Sequence, residues 1–190
     1  SPLHRGFKRA FDLVVGSILF ILLLPFLALI ALWVKLDSPG PVLFRQKRTG
    51  QGGREFTMFK FRSMHVEAPA YALTPTASDD PRITRAGRIL RRLSLDEFPQ
   101  LVNVLRGEMS LVGPRPEMPF ITERYTPQQR ERLRVKPGLT GLWQISADRR
   151  LSIHENLDYD LYYIEHQSML LDLVILIRTA YSVVRGVGAW

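Results

Sequence analysis

Apolar and polar positions fall along this chain in two unlike patterns, one unbroken and one periodic. From Leu13 to Val34 run 22 residues without a charge (LVVGSILFILLLPFLALIALWV). A helix of that length reaches about 33 Å, the scale of a bilayer's hydrocarbon core. Its apolar residues go round the whole circumference, which a buried helix in so small a chain cannot accommodate, so the pattern predicts burial in lipid. A secretory leader has a shorter apolar core and a small-residue cleavage site; this run ends in Ala31-Leu32-Trp33-Val34-Lys35 and reads as retained. Residues 37–41 (DSPGP) form a breaker. Beyond it, Val42–Phe44, a Gly-rich turn over Thr49–Gly53 and Glu55–Phe61 predict a small β-hairpin. Glu67–Pro81 is polar and Pro-bearing and reads as a loop. Ile83–Leu93 reads as a helix with Ile83, Ile89, Leu90 and Leu93 in phase, and a second helix follows Ser94, stopped by Gly107. The stretch 111–119 (LVGPRPEMP) fits neither a helix interior nor a central strand. Residues 135–141 (VKPGLTG) read as another rigid turn region. Ser152 with Glu155 predicts a capping box for a helix from about Ile153. Ser168–Arg185 is apolar but carries Asp172 and Arg178, which predicts a helix packed on the core or lying at the interface, not a second span.

Charge sharpens this picture. The 190 residues hold 26 Lys and Arg against 18 Asp and Glu, and Arg supplies 21 of the 26. Such a balance suits anionic lipid, phosphorylated ligands or nucleic acid. With no cysteine, the chain has neither a disulfide framework nor a thiolate metal site. Basic residues flank the apolar run on both sides: Arg5, Lys8 and Arg9 before it, Lys35, Arg45, Lys47, Arg48 and Arg54 after it. Positive charge marks the cytoplasmic side, so a straight span puts one flank on the wrong side. A helix broken at Pro25 would enter the membrane and return on the same face. The paired flanks favour re-entry; a straight span, which also tolerates proline, is the other topology.

The candidate site centres on Ser94-Leu95-Asp96-Glu97. One reading is local: Ser94 is an N-cap, Glu97 closes a capping box, and Asp96 only benefits from the helix dipole. The functional reading uses the same physics. Asp96 at a helix start, beside an Arg-rich helix that includes Arg91 and Arg92, is expected to stay ionised. An ionised carboxylate can hold a divalent cation or attack phosphorus, and Arg neutralises charge on phosphate oxygens. Arg115 lies between Pro114 and Pro116, which fix the backbone around it and pre-aim its guanidinium at an anion. Lys60 and Arg62 alternate with Phe59 and Phe61, so one strand face carries charge and could hold an anion; Arg149 and Arg150 could reach the same pocket. The histidines are scattered, and no G-x-S-x-G, G-x-G-x-x-G or P-loop pattern occurs.

Longer stretches make a resemblance specific. Lys8–Asp12 (KRAFD), FRQKRTGQGGREF at 44–56, KFRSM at 60–64, RITRAGRILRRLSLDEFPQLVNVLRGEMSLVGPRPE at 82–117 and KPGLTGLWQIS at 136–146 resemble the bacterial sugar transferases of the monotopic phosphoglycosyl transferase family. The tail RGVGAW at 185–190 resembles the catalytic portion of the larger hexose-1-phosphate transferases. The resemblance implies a membrane-associated, mainly α fold with a small β-hairpin. Residues 1–36 would form a basic flank and a re-entrant membrane helix broken at Pro25. Residues 37–190 would form a catalytic domain with interfacial helices on the cytoplasmic face of the bacterial inner membrane. It implies Asp96 as nucleophile and Mg²⁺ ligand, with Glu97 supporting it. Lys60, Arg62, Arg91, Arg92, Arg115, Arg149 and Arg150 are the expected phosphate or nucleotide contacts. The implied reaction moves hexose-1-phosphate, with galactose or glucose as the leading sugars, from a UDP-hexose to undecaprenyl phosphate and releases UMP. This would be the first membrane step of exopolysaccharide or O-antigen synthesis. Partners would be inner-membrane lipid and, as in larger relatives, a second copy in a homodimer; nucleic acid is not expected. The rival reading is a non-catalytic membrane-surface scaffold that binds anionic lipid or nucleic acid.

Overall fold

The computed structural model describes residues 2–69, 79–146 and 157–185. Helix α1 runs from Pro2 to Asp37 with Pro25 inside it. Strands β1 (Leu43–Thr49) and β2 (Glu55–Phe61) form the expected antiparallel hairpin, with Leu43 opposite Phe61 and Thr49 opposite Glu55. Helix α2 (Arg85–Arg92), a 3₁₀ segment (Leu95–Gln100) and α3 (Leu101–Arg106) follow. Strand β3 (Ser110–Val112) precedes two one-turn helices, α4 (Pro119–Thr122) and α5 (Pro127–Arg130). Strand β4 (Gly138–Thr140), α6 (Leu157–Glu165) and α7 (Met169–Val184) complete the described chain, which is mainly helical. Gly107 stops α3 at φ 83°, in the left-handed region that glycine occupies freely. Ser168 caps α7 by accepting the Leu171 N–H. The capping box expected at Ser152 and Glu155 and the expected loop over 70–78 lie outside the described residues.

The segment 135–141 is not only a turn. Its Gly138–Thr140 pairs in parallel with Ser110–Val112. Both strands of a two-stranded sheet are edges, so Pro114 and Pro116 just past β3 break no ladder bond.

One stripe of α1 packs on the rest of the chain. Asp12, Leu27, Ile30 and Val34 are buried, and Phe11, Val15, Leu19 and Leu23 pack against the main core of Phe56, Met58, Leu101, Val104, Leu111 and Tyr163. The spacing is that of one helix face. The opposite face is bare: Val14, Ile18, Ile21, Leu22, Leu29, Leu32 and Leu36 are each more than half exposed. Among the described residues α1 is the one helix long and apolar enough to cross a membrane, which marks membrane association.

Both ends of α1 are tied to the same body. Near its start, Lys8 pairs with Asp172 of α7 at 2.6 Å. Arg9 donates to the Val104 and Leu105 carbonyls at the end of α3 at 2.6 and 2.8 Å, where a cation meets the negative helix terminus. The buried Asp12 carboxylate accepts from the Ser110 hydroxyl and the Leu111 N–H, each at 3.0 Å. At the far end, Asp37 accepts the Ala86 N–H at 3.0 Å and so helps cap α2. Arg62 corrects the sequence reading. Its guanidinium is buried against the end of α1, donating to the Ser38 hydroxyl and to the carbonyls of Val34, Ser38, Pro39 and Pro41. It closes a helix terminus and has no fork left for a phosphate.

Candidate active site

A single backbone reversal brings the site together. Helix α2 lies hard against the chain leaving β2: a Cβ at Gly87 would sit 2.0 Å from the Ser63 carbonyl oxygen. Just past α2, Ser94 adopts φ 54°, the one non-glycine positive φ among the described residues. Its side chain makes no cap bond. The expected capping box is therefore absent. Ser94 instead fills the left-handed position that ends α2, a place usually taken by glycine. The reversal turns the 3₁₀ segment back across β2 and sets Asp96 and Glu97 beside Lys60.

Glu97 is engaged on two sides. Its Oε1 lies 2.8 Å from both Lys60 Nζ and Arg115 Nη2. Burial works to raise its pKa, but Arg115 and Lys60 outweigh burial and hold the carboxyl well below the usual carboxylate range. Lys60 is itself pushed down by burial, partly offset by Glu97. Arg115 is raised by Glu97.

Asp96 differs. It is 6% exposed, and among the described residues it belongs to no ion pair. Burial pushes its carboxyl up to about 6, against the pull of Lys60, Arg91 and Arg115, while Glu97 adds to the rise. The sequence reading expected the nearby cations to keep Asp96 ionised; burial raises its pKa, but to a value that still leaves the group mostly ionised at pH 7. The pair thus splits into a carboxylate locked by two cations and a desolvated one with no fixed partner.

Arg91 is buried on the inner side of α2, and burial lowers its pKa while Asp96 raises it. Arg92 is exposed on the outer side of α2 and joins none of these contacts. Arg149 and Arg150 lie outside the described residues.

The sequence reading missed what steadies Arg115. Arg132, 4% exposed, donates to the Arg115 carbonyl at 3.0 Å and to Asp160 at 2.7 Å. It also bonds the Tyr125 hydroxyl and approaches Glu117 at 3.5 Å. Nothing in the pattern ERLR marks Arg132 out, since Asp160 is 28 positions away. A small open cleft is lined by Gly50, Pro114, Arg115, Glu117 and Arg132.

Among the described residues no group of three or more His, Cys, Asp or Glu could hold a metal ion. That leaves no resident protein cage. It does fit magnesium, which commonly keeps one or two carboxylates and takes its other ligands from substrate phosphates and water. Asp96 is the carboxylate with oxygens to spare; those of Glu97 are taken.

A buried carboxylate that joins no ion pair among the described residues lies beside a Lys–Glu–Arg cluster, on a body that carries one long apolar helix. A family profile described as "Bacterial sugar transferase" matches residues 3–186, and the chain belongs to that family. It is 42% identical over 191 residues to the UDP-glucose:undecaprenyl-phosphate glucose-1-phosphate transferase of Escherichia coli K12, covering 96% of this chain and 41% of that protein. It is 43% identical to the protein of the same name from Caulobacter vibrioides, covering 96% of this chain and 72% of that one. It is 37% identical to the UDP-N-acetylgalactosamine-undecaprenyl-phosphate N-acetylgalactosaminephosphotransferase of Aeromonas hydrophila, covering all of this chain and 46% of that protein. The chain thus spans less than half the length of two of these three relatives.

Proposed function

We propose that this chain is the catalytic unit of a phosphoglycosyl transferase that moves a hexose-1-phosphate from a UDP-hexose to undecaprenyl phosphate. The observation that carries the reading is the split carboxylate pair. Asp96, desolvated and unpaired, attacks the β-phosphorus of the donor. The bond from that phosphorus to the bridging oxygen breaks, UMP leaves, and an aspartyl-phosphosugar remains. A phosphate oxygen of undecaprenyl phosphate then attacks the same phosphorus, and the bond to Asp96 breaks. Glu97 holds Lys60 and Arg115 where charge builds on the phosphoryl oxygens. Arg91 supplies further positive charge beside Asp96. Mg²⁺, held by Asp96 and the donor diphosphate, would neutralise charge on the phosphates. The relatives' names supply the substrate class, and the two glucose-1-phosphate transferases favour glucose as the sugar.

The same reading assigns residues 1–36 to a re-entrant membrane element and 37–190 to a domain on the cytoplasmic face. Two facts support re-entry. Both ends of α1 are bound to one body, through Lys8, Arg9 and Asp12 and through Val34, Ser38 and Asp37. Pro25 does not end α1, which continues through it, but without an N–H it deprives the helix of one bond at the position where re-entry calls for a bend.

The test is direct. The chain is incubated with UDP-glucose labelled at the β-phosphorus, without lipid acceptor. Label should appear on the protein with matching UMP, and undecaprenyl phosphate should chase it off. UMP release by Asp96→Asn at the unmodified rate would overturn the proposal.

A further inference from the structure

Helix α2 has two basic sides, and the site uses one. Arg91 lies inward, next to Asp96. Arg85, Arg88 and Arg92 lie outward with Ile89, and all four are exposed. These positions share one helical face, and none of the three arginines forms an ion pair among the described residues. Ile89 is 47% exposed. It neighbours Leu90, which is buried against Leu27, Ile30 and Val34 of α1. The outer face of α2 therefore continues sideways from the far half of α1, whose own outer residues Leu29, Leu32 and Leu36 are bare. An apolar residue at the border and guanidinium groups beyond it reproduce the order of a bilayer interface: acyl chain first, headgroup next.

We infer that the Arg85–Arg88–Arg92 face of α2 binds the headgroups of anionic phospholipids at the membrane surface. The inference rests on α1 being in the bilayer, but not on the reaction assigned to Asp96. Three arginines without carboxylate partners among the described residues favour a phosphate-bearing layer over water. The occupant is lipid and not a free phosphate or a nucleic acid, because the face is continuous with the lipid-facing side of α1 and carries Ile89 at its edge.

The chain has no cysteine, so Ile89→Cys supplies a single thiol for an environment-sensitive fluorophore. The labelled chain is placed in nanodiscs containing spin-labelled phosphatidylglycerol or, separately, the same mole fraction of spin-labelled phosphatidylcholine. Quenching by the anionic lipid should be at least twofold stronger. Combining Arg85→Gln, Arg88→Gln and Arg92→Gln should bring the ratio to one, with the chain still in the nanodisc. A ratio of one with the arginines intact, or no quenching by either lipid, overturns the inference. A chain that fails to co-elute with nanodiscs overturns the membrane reading, and this inference with it.

Discussion

Replacing Asp96 by Asn should abolish turnover and raise stability at once. The ordinary carboxyl value of 3.8 and the folded value of about 6 differ because burial disfavours the charged form. That difference corresponds to about 3 kcal/mol against the folded state when Asp96 is ionised. The sign follows from linkage. Below pH 3.8 the group is protonated in both states and has no effect. Between 3.8 and about 6 the folded state holds more protons, so stability falls as pH rises. Above 6 the whole penalty is present. Asn carries no charge and escapes it, so its advantage should be largest near pH 7.5 and vanish near pH 4. At 2–4 °C per kcal/mol, the melting temperature should rise by roughly 6–12 °C at pH 7.5. Tryptophan-fluorescence melts of both proteins across pH 4–8, beside the UMP assay, read both effects. A variant that melts below the parent at pH 7.5, or an advantage that does not change with pH, refutes the burial argument. Such a stable but inactive variant would be a stability–activity trade-off at a single side chain.

Glu97→Gln removes the negative neighbour that raises Asp96, and Lys60→Met removes the largest charge that lowers it. The acid limb of kcat/KM should therefore move below pH 6 in the first and above it in the second; pH profiles shifted in the same direction contradict the electrostatics. Arg132→Met strands the buried Asp160 carboxylate and should destabilise by about 3–5 kcal/mol. Arg132→Lys should recover only part of that, since an ammonium cannot span Asp160 and the Arg115 carbonyl; denaturant unfolding of the two decides. Ser94→Gly relieves a left-handed backbone that costs an L-residue about 1–2 kcal/mol. Glycine's extra unfolded freedom cancels part of the gain, leaving about 0.5–1 kcal/mol of added stability, visible as a higher melting temperature.

What the sequence made legible was local and periodic. The hairpin could be read because alternation and a Gly-rich turn both lie within 43–61. Gly107 could be read because a helix end is set by a single residue. Asp96, Glu97, Lys60 and Arg115 emerged as candidates from the chemistry of their types, and the fold gathers them. Ser94 and Glu97 were misread as a capping box because that motif is local, whereas the partners of Glu97 sit 37 and 18 positions away. Arg62 was grouped with Lys60 by alternation, but β2 ends at Phe61 and the next residue turns toward α1. The parallel pairing of β3 with β4 was invisible, since three residues are too few to show a period. Arg132 was missed because only tertiary structure supplies its acceptors.

The clasp between Lys8 and Asp172 joins positions 164 apart. During synthesis at 5–20 residues per second, roughly 8–33 s separate the emergence of one partner from the other. For that interval Lys8 lacks its Asp172 partner, and Asp12 waits about three-fifths as long for the Leu111 amide, 99 positions on. The front of α1 is thus fastened late, because its acid partner Asp172 lies in the first turn of α7. Stop codons introduced just ahead of Asp172 should leave that front held by Arg9 and Asp12 without the Lys8 clasp, and so more protease-accessible than in the full chain.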